Sequence, residues 1–440
     1  MAPNGRQYQP LQQLDEVEDV EGYRPGGFHP VTIGDILGGG RYRILHKLGF
    51  GGSSTVWLAR DLAPTVSSRS LVSLKVMIAR VSKRPPEAIA ELVIPRKLRS
   101  TVSHRTALQS VRVAQHHFME TGPNGTHLCI ASPLCGPSAL STSEYLAYKY
   151  KQRIQGRVAR YVAKQVAINV DSMHTAGIAH GDLTTSNILF KLEGYVQGWS
   201  DTQIYDILGE PATEAVIRVD GTSPAQPDAP RELVEAIDGS RFVDASVLQG
   251  DVVLTDFGQS FSISDVPKDY SPATVVHYMP PEFRFTQKAE LASDIWMLAC
   301  AIFEIRAGYS LFDSFLRSSD IVLMQTVETL GRLPDPWWGR FEDRHLWFNE
   351  DGEPKPEEVQ ERAVHITAAK KPLRQRIEQI WQGEEPVVGY NTSFTESRDM
   401  AMSREEVDLL TDLLGKMLRY RPEERIQIQG VVNHPWFDYK

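Results

Sequence analysis

"HGDLTTSNILF", residues 180–190, is the stretch on which the reading of this chain turns. It sets a carboxylate, Asp182, five residues ahead of a carboxamide, Asn187. A carboxylate can orient a hydroxyl and take its proton, and an amide oxygen can help hold a hard divalent cation. His180 is read as a packed loop residue.

Working outward, "GDVVLTDFG" (residues 250–258) is a strand run that ends on a second acidic residue, Asp256. Upstream, "KLGFGGSSTVWL" (residues 47–58) puts Gly49, Gly51 and Gly52 between two β-rich runs, followed by Ser53, Ser54 and Val56. Glycines let a backbone approach phosphate oxygens and offer its NH groups to them, although a plain hairpin turn reads the same way. Lys75 lies in the apolar strand pattern "SLKV". Glu91 follows on a helix expected over 85–99, at a better remove to pair with the lysine than Glu87. Pro95 should kink or shorten that helix. After residue 133 the chain turns helical, with Val158, Tyr161, Val162, Val166, Val170 and Met173 at helical spacing.

The five elements occur in one order: glycine turn, strand lysine, helix glutamate, Asp-x4-Asn loop, Asp-Phe-Gly. In that order they resemble the eukaryotic protein kinases, and the resemblance runs over nearly the whole chain. "HYMPPEF" with Glu282, "SDIWMLACAIFEI" with Asp294, and "RYRPEERI" with Arg425 resemble three further signatures of that family. "YRPGGFHPVTIGDIL" ahead of the glycine turn, and the long interval between Asp182 and Asp256, are similar to the SR protein kinases, in a fungal branch.

The resemblance implies an α+β, two-lobed fold: an N-lobe over 23–133 and a C-lobe over 134–440, with a spacer at about 195–250. It implies ATP and Mg²⁺ as cofactors, with ATP between the lobes under Gly49, Phe50, Gly51, Gly52, Ser53, Ser54 and Val56. Lys75 and Glu91 would hold its phosphates, Asn187 and Asp256 the metal, and Asp182 the substrate hydroxyl. Glu282, Asp294 and Arg425 would be structural supports. The implied partner is a basic, Arg/Ser-rich protein substrate, met by a monomer in the cytoplasm or nucleus.

Three positions depart from the family pattern. Gly181 stands where an arginine pairs with a phosphorylated activation loop, so that loop is expected to need no phosphate. Thr184 stands where a lysine neutralises the transferred phosphate. Val275 stands where a threonine bonds that lysine and the aspartate. Two alternatives to an active protein kinase follow: an ATP-binding scaffold, or a small-molecule phosphotransferase with a His-Gly-Asp loop.

Composition agrees without deciding. The chain has 440 residues, 41% hydrophobic and 23% charged, with a net charge of −9. Acidity argues against nucleic acid as the main ligand and favours basic partners. Cys129, Cys135 and Cys300 form no CxxC pair and read as reduced intracellular thiols. No apolar run suggests a membrane span or signal segment. The polar, acidic residues 1–22 read as a disordered tail. Residues 334–400 resist assignment beyond the expectation that Trp337, Trp338 and Trp347 pack internally.

Overall fold

The computed structural model describes residues 6–440 except 64–69, 102–109, 223–227, 245, 268–269, 315–316, 361–365, 381–392 and 398–399. The chain divides into two compact units, and each is discontinuous in sequence. The first comprises Met1–Pro95, Arg112–Pro137 and Phe190–Gln249; the second comprises Arg96–Val111, Ser138–Leu189 and Gly250–Lys440.

The first unit is built on a six-stranded sheet with strands β1 (Ile36–Leu37), β2 (Tyr42–Gly51), β3 (Ser54–Asp61), β4 (Leu71–Met77), β5 (His116–Gly122) and β6 (Gly125–Pro133). Their order is β1-β2-β3-β4-β6-β5, and all neighbours are antiparallel. Successive side chains point to opposite faces. Ile44, Trp57 and Val72 therefore join one core, and Leu45, Leu58 and Leu71 another.

The second of those cores corrects the expected domain plan. The spacer does not belong with the α-rich unit. Val196, Trp199, Ile204, Leu208, Phe242 and Val247 all bury against Leu45, Leu58, Leu71 and Leu134. Polar contacts fix the same packing. The Arg60 side chain donates to the Trp199 carbonyl at 2.7 Å and pairs with Asp201 at 2.8 Å. An apolar sheet face needs cover, and the inserted residues supply it.

The acidic N-terminal residues are a second correction, because residues 6–22 are folded. Tyr8, Tyr23 and Phe28 share a core with Val216, Ala229 and Leu233 of the spacer, flanked by Leu11, Leu14, Val17 and Val20. The backbone NH groups of Gln12, Gln13 and Leu14 donate to the Glu214 carboxylate at 2.7, 2.8 and 3.2 Å. Glu18 is buried and pairs with the buried Lys47, two residues before Gly49.

The second unit centres on the helix Leu291–Ala307, buried at every position from Ser293 to Ala307 and ended by Gly308 at φ 79°. The amphipathic helix Gly156–Thr175 packs on it and buries Val162, Val166, Val170 and Met173. Tyr161, expected on that stripe, is instead 52% exposed and donates its hydroxyl to Asp251 at 2.8 Å. Trp338 and Trp347 are buried with Leu333 and Phe341, and Trp337 stacks on Phe285. Part of the 334–400 stretch lies outside the described residues. No described helix is long and apolar enough to cross a membrane.

Candidate active site

In the first unit, β2 and β3 meet in a hairpin whose last pair is Gly51 with Ser54. Among the described residues, no atom comes within 4 Å of where a Cβ would stand on Gly49, Gly51 or Gly52. The turn thus presents bare backbone, with Phe50 39% exposed at its tip and Ser54 buried.

Lys75 stands on β4 opposite Val56 on one side and Ile130 on the other. Its ammonium lies 3.2 Å from Glu91, at the start of the helix Ala90–Thr101. Glu87 is exposed, in a separate turn, Pro86–Ala88. The helix continues past Pro95, and its α-helical start at Ala90 is later than the prolines suggested. Proline costs a helix the bond to the carbonyl four residues back, here that of Glu91.

In the second unit, Asp294 organises the loop around Asp182 from inside the buried helix. Its carboxylate accepts from the backbone NH of His180 at 2.8 Å and of Gly181 at 3.0 Å, and it bonds the His174 ring at 2.9 Å. His180 is a packing residue, its ring 5.3 Å from that of Phe257.

Asp182 is held on both oxygens. Oδ1 accepts from the Thr274 hydroxyl at 2.7 Å, and Oδ2 from Nδ2 of Asn187 at 3.0 Å. The same amide nitrogen donates to the Asp182 carbonyl at 2.8 Å. Asn187 is therefore oriented by its nitrogen, which turns its Oδ1 the other way. Asp256 has a left-handed backbone, φ 58° and ψ 71°, a conformation that aspartate tolerates better than most residues. Its neighbour Thr255 donates its NH to the Asn187 carbonyl at 3.0 Å, so the two candidate metal ligands lie on adjoining chain segments.

Thr274 is the residue that the sequence reading missed. Val275, three before Tyr278, is 48% exposed, while the residue ahead of it reaches the aspartate. The segment is irregular here, so a one-residue shift costs no ladder pairing. The expected loss of a threonine is corrected accordingly. Thr184 is buried, and its NH bonds the Asp182 carbonyl at 3.1 Å. Arg425 grips Glu282 through two bonds of 2.8 and 2.6 Å, and Ser293 donates to the same carboxylate at 2.8 Å.

The chain was compared with known proteins. Residues 243–437 match the protein kinase domain family. A second match, to the lipopolysaccharide kinase (Kdo/WaaP) family, covers residues 138–203 around the His-Gly-Asp loop. The chain is 27% identical to the serine/threonine-protein kinase SRPK of Physarum polycephalum over 96% of its length and 91% of that protein. It is 33% identical to protein kinase dsk1 of Schizosaccharomyces pombe over 40% of this chain and 31% of that protein. It is 30% identical to human SRSF protein kinase 3 over 40% of this chain and 30% of that protein. The α+β architecture and the ordered set of charged residues agree with these matches. The similarity is to the protein kinase domain, with relatives of the SR-protein-kinase type at modest identity.

Proposed function

We propose that this chain is an ATP-dependent serine/threonine protein kinase that phosphorylates serines in basic, Arg/Ser-rich proteins. The observation that carries this reading is the carboxylate of Asp182, held on both oxygens by Thr274 and Asn187. Phosphoryl transfer needs positioning and charge neutralisation rather than covalent chemistry. Asp182 orients the substrate hydroxyl and accepts its proton as the oxygen attacks the γ-phosphate. Lys75, kept extended by Glu91, holds the α- and β-phosphates. The backbone of Gly49, Phe50, Gly51, Gly52, Ser53 and Ser54, with Val56 beyond it, covers the nucleotide.

The Asn187 amide oxygen and the Asp256 carboxylate are hard donors of the kind Mg²⁺ takes, and the fixed amide nitrogen leaves the oxygen as the ligating atom. When bound, Mg²⁺ neutralises charge on the phosphates. Thr184 adds no positive charge, which slows transfer by about 10²–10³-fold relative to a site with one more preorganised cation.

The relatives' names support a protein substrate, and the net charge of −9 favours a basic one. The three free cysteines suit a monomer in the cytoplasm or nucleus. The test is transfer of labelled γ-phosphate from Mg-ATP to an Arg-Ser repeat peptide, with Asp256→Asn assayed beside it. Transfer that disappears in the variant supports the kinase. Nucleotide binding with no transfer to this peptide or to generic basic proteins would instead mark a scaffold. Transfer only to small hydroxyl compounds would favour the reading suggested by the Kdo/WaaP match.

Within this reading, Thr274→Val should reduce turnover about tenfold, since it removes a hydrogen bond to a charged group. Thr274→Ser should retain most of the rate. Equal turnover in the valine variant would show that Asn187 alone is enough to aim Asp182.

A further inference from the structure

On the β2 side of the glycine turn, Gly49 and Gly51 have no side chain to pack, and Phe50 stands between them. The β3 side is fixed separately, by the Ser53 carbonyl, which accepts from the NH of Ile78 at 2.9 Å. Phe50 is half-exposed, yet its ring lies over a cation: the Lys47 ammonium is 5.2 Å from its centroid. The same ammonium lies 5.8 Å from the ring of Trp57, the residue opposite Lys47 on β3.

Two segments distant in sequence hold Lys47 in that place. Its side chain is wholly buried, and its ammonium pairs with the Glu18 carboxylate and donates to the Val234 carbonyl at 2.9 Å. Glu18 also accepts from the Tyr23 hydroxyl. The backbone is held as well. β1 pairs with the start of β2, at Tyr42 and Arg43. At Lys47 the spacer joins the strand: Ala236 forms a parallel bridge with it, and Ile237 donates its NH to the Lys47 carbonyl at 2.9 Å. Ala236 in turn donates its NH to the Glu16 carbonyl at 2.9 Å, so the N-terminal residues back the spacer at the same point.

An ammonium is drawn to the negative face of an aromatic ring, and the attraction grows as water is excluded. Burial lowers the lysine pKa and Glu18 raises it, which favours the charged form beneath the ring. The geometry points to Lys47 as a positioning residue: anchored by Glu18 and Val234, its ammonium holds the Phe50 ring and so seats the glycine turn over the nucleotide. This rests on the kinase reading above.

The test is a cycle of four full-length proteins: wild type, Glu18→Leu with Lys47→Met, Phe50→Leu, and all three changes together. The double change removes both buried charges at once and leaves no unpaired ion in the core. Each protein is measured for Mg-ADP affinity by calorimetry, for kcat and KM for ATP with the Arg-Ser peptide, and for amide exchange over residues 48–53. A thermal melt checks folding. The double change should weaken Mg-ADP binding and raise KM for ATP roughly 3–10-fold, hold kcat within about twofold, and speed exchange over 48–53. Phe50→Leu should weaken the nucleotide and speed exchange to a similar degree. Adding it to the double change should add nothing, because both remove one contact. Wild-type affinity and exchange in a double variant that melts with the wild type would overturn the proposal, as would effects that add in the triple variant. Should the double variant melt early, Phe50→Leu decides, and unchanged exchange over 48–53 there overturns the proposal. A wild type that binds no nucleotide would sink the kinase reading, and the exchange data would still judge the seating of the turn.

Discussion

Asp182→Ala is expected to lower phosphoryl transfer by about 10²–10⁴-fold while leaving Mg-ATP affinity within about twofold. The argument is geometric. The carboxylate's two oxygens are aimed by donors from opposite directions in sequence, Thr274 from the downstream segment and Asn187 from its own loop. Alanine takes the acceptor from the Thr274 hydroxyl, leaves the Asn187 amide only the main-chain carbonyl of residue 182, and removes the group that would receive the hydroxyl proton. The groups assigned to the phosphates and the metal, Lys75, Asn187 and Asp256, are untouched, so binding should survive where chemistry does not. Steady-state transfer and a separate nucleotide titration read the two effects apart. Retention of more than about a tenth of the rate would mean that Asp182 is not the acting base.

The second large effect lies far from the chemistry. Glu18→Ala leaves the Lys47 ammonium buried with the Val234 carbonyl, at 2.9 Å, as its remaining close partner. Breaking a buried pair by deleting one member costs about 3–5 kcal/mol, because the surviving charge stays desolvated. Desolvation already pulls the lysine pKa down, and Glu18 is what pulls it back. For a unit of this size, such a loss lowers the unfolding midpoint by roughly 6–20 °C. The double variant Glu18→Leu, Lys47→Met, which removes both charges, should recover most of it. Thermal melts of the two variants decide the matter. A Glu18→Ala protein as stable as wild type would mean that the N-terminal residues do not stabilise the sheet.

That pair also marks where sequence reading ran out. Lys75 with Glu91, the Asp182–Asn187 spacing, and Glu282 and Arg425 as supports were legible through the family resemblance, because each sits among distinctive neighbours in sequence. Glu18 finds Lys47 only through the tertiary fold. The acidic composition of residues 1–22 pointed to disorder, and the signal against it was weak: Leu11, Leu14, Val17 and Val20, spaced three apart among charges.

The spacer left a clearer trace that went unused. Ile44–Leu45 and the run Val56, Trp57, Leu58, Ala59 are continuously apolar rather than alternating, which is the pattern of strands covered on both faces. A sheet of that kind needs two layers, and only the spacer was available to supply the second. Thr274 escaped for the opposite reason. It lies in a segment with no periodicity, where counting back from Tyr278 lands one residue away.

The discontinuity of the first unit sets a timetable for synthesis. Its sheet is encoded before residue 138, yet its last segment ends at Gln249. The Glu214 carboxylate that receives the NH groups of Gln12, Gln13 and Leu14 is made about 200 residues after them. At translation rates of ~5–20 residues per second, the roughly 110 residues from the end of the sheet to Gln249 take about 6–22 s, during which one apolar sheet face is uncovered. During that interval the ribosome-bound chain is a client for holding chaperones, and the second unit begins to emerge before the first can close.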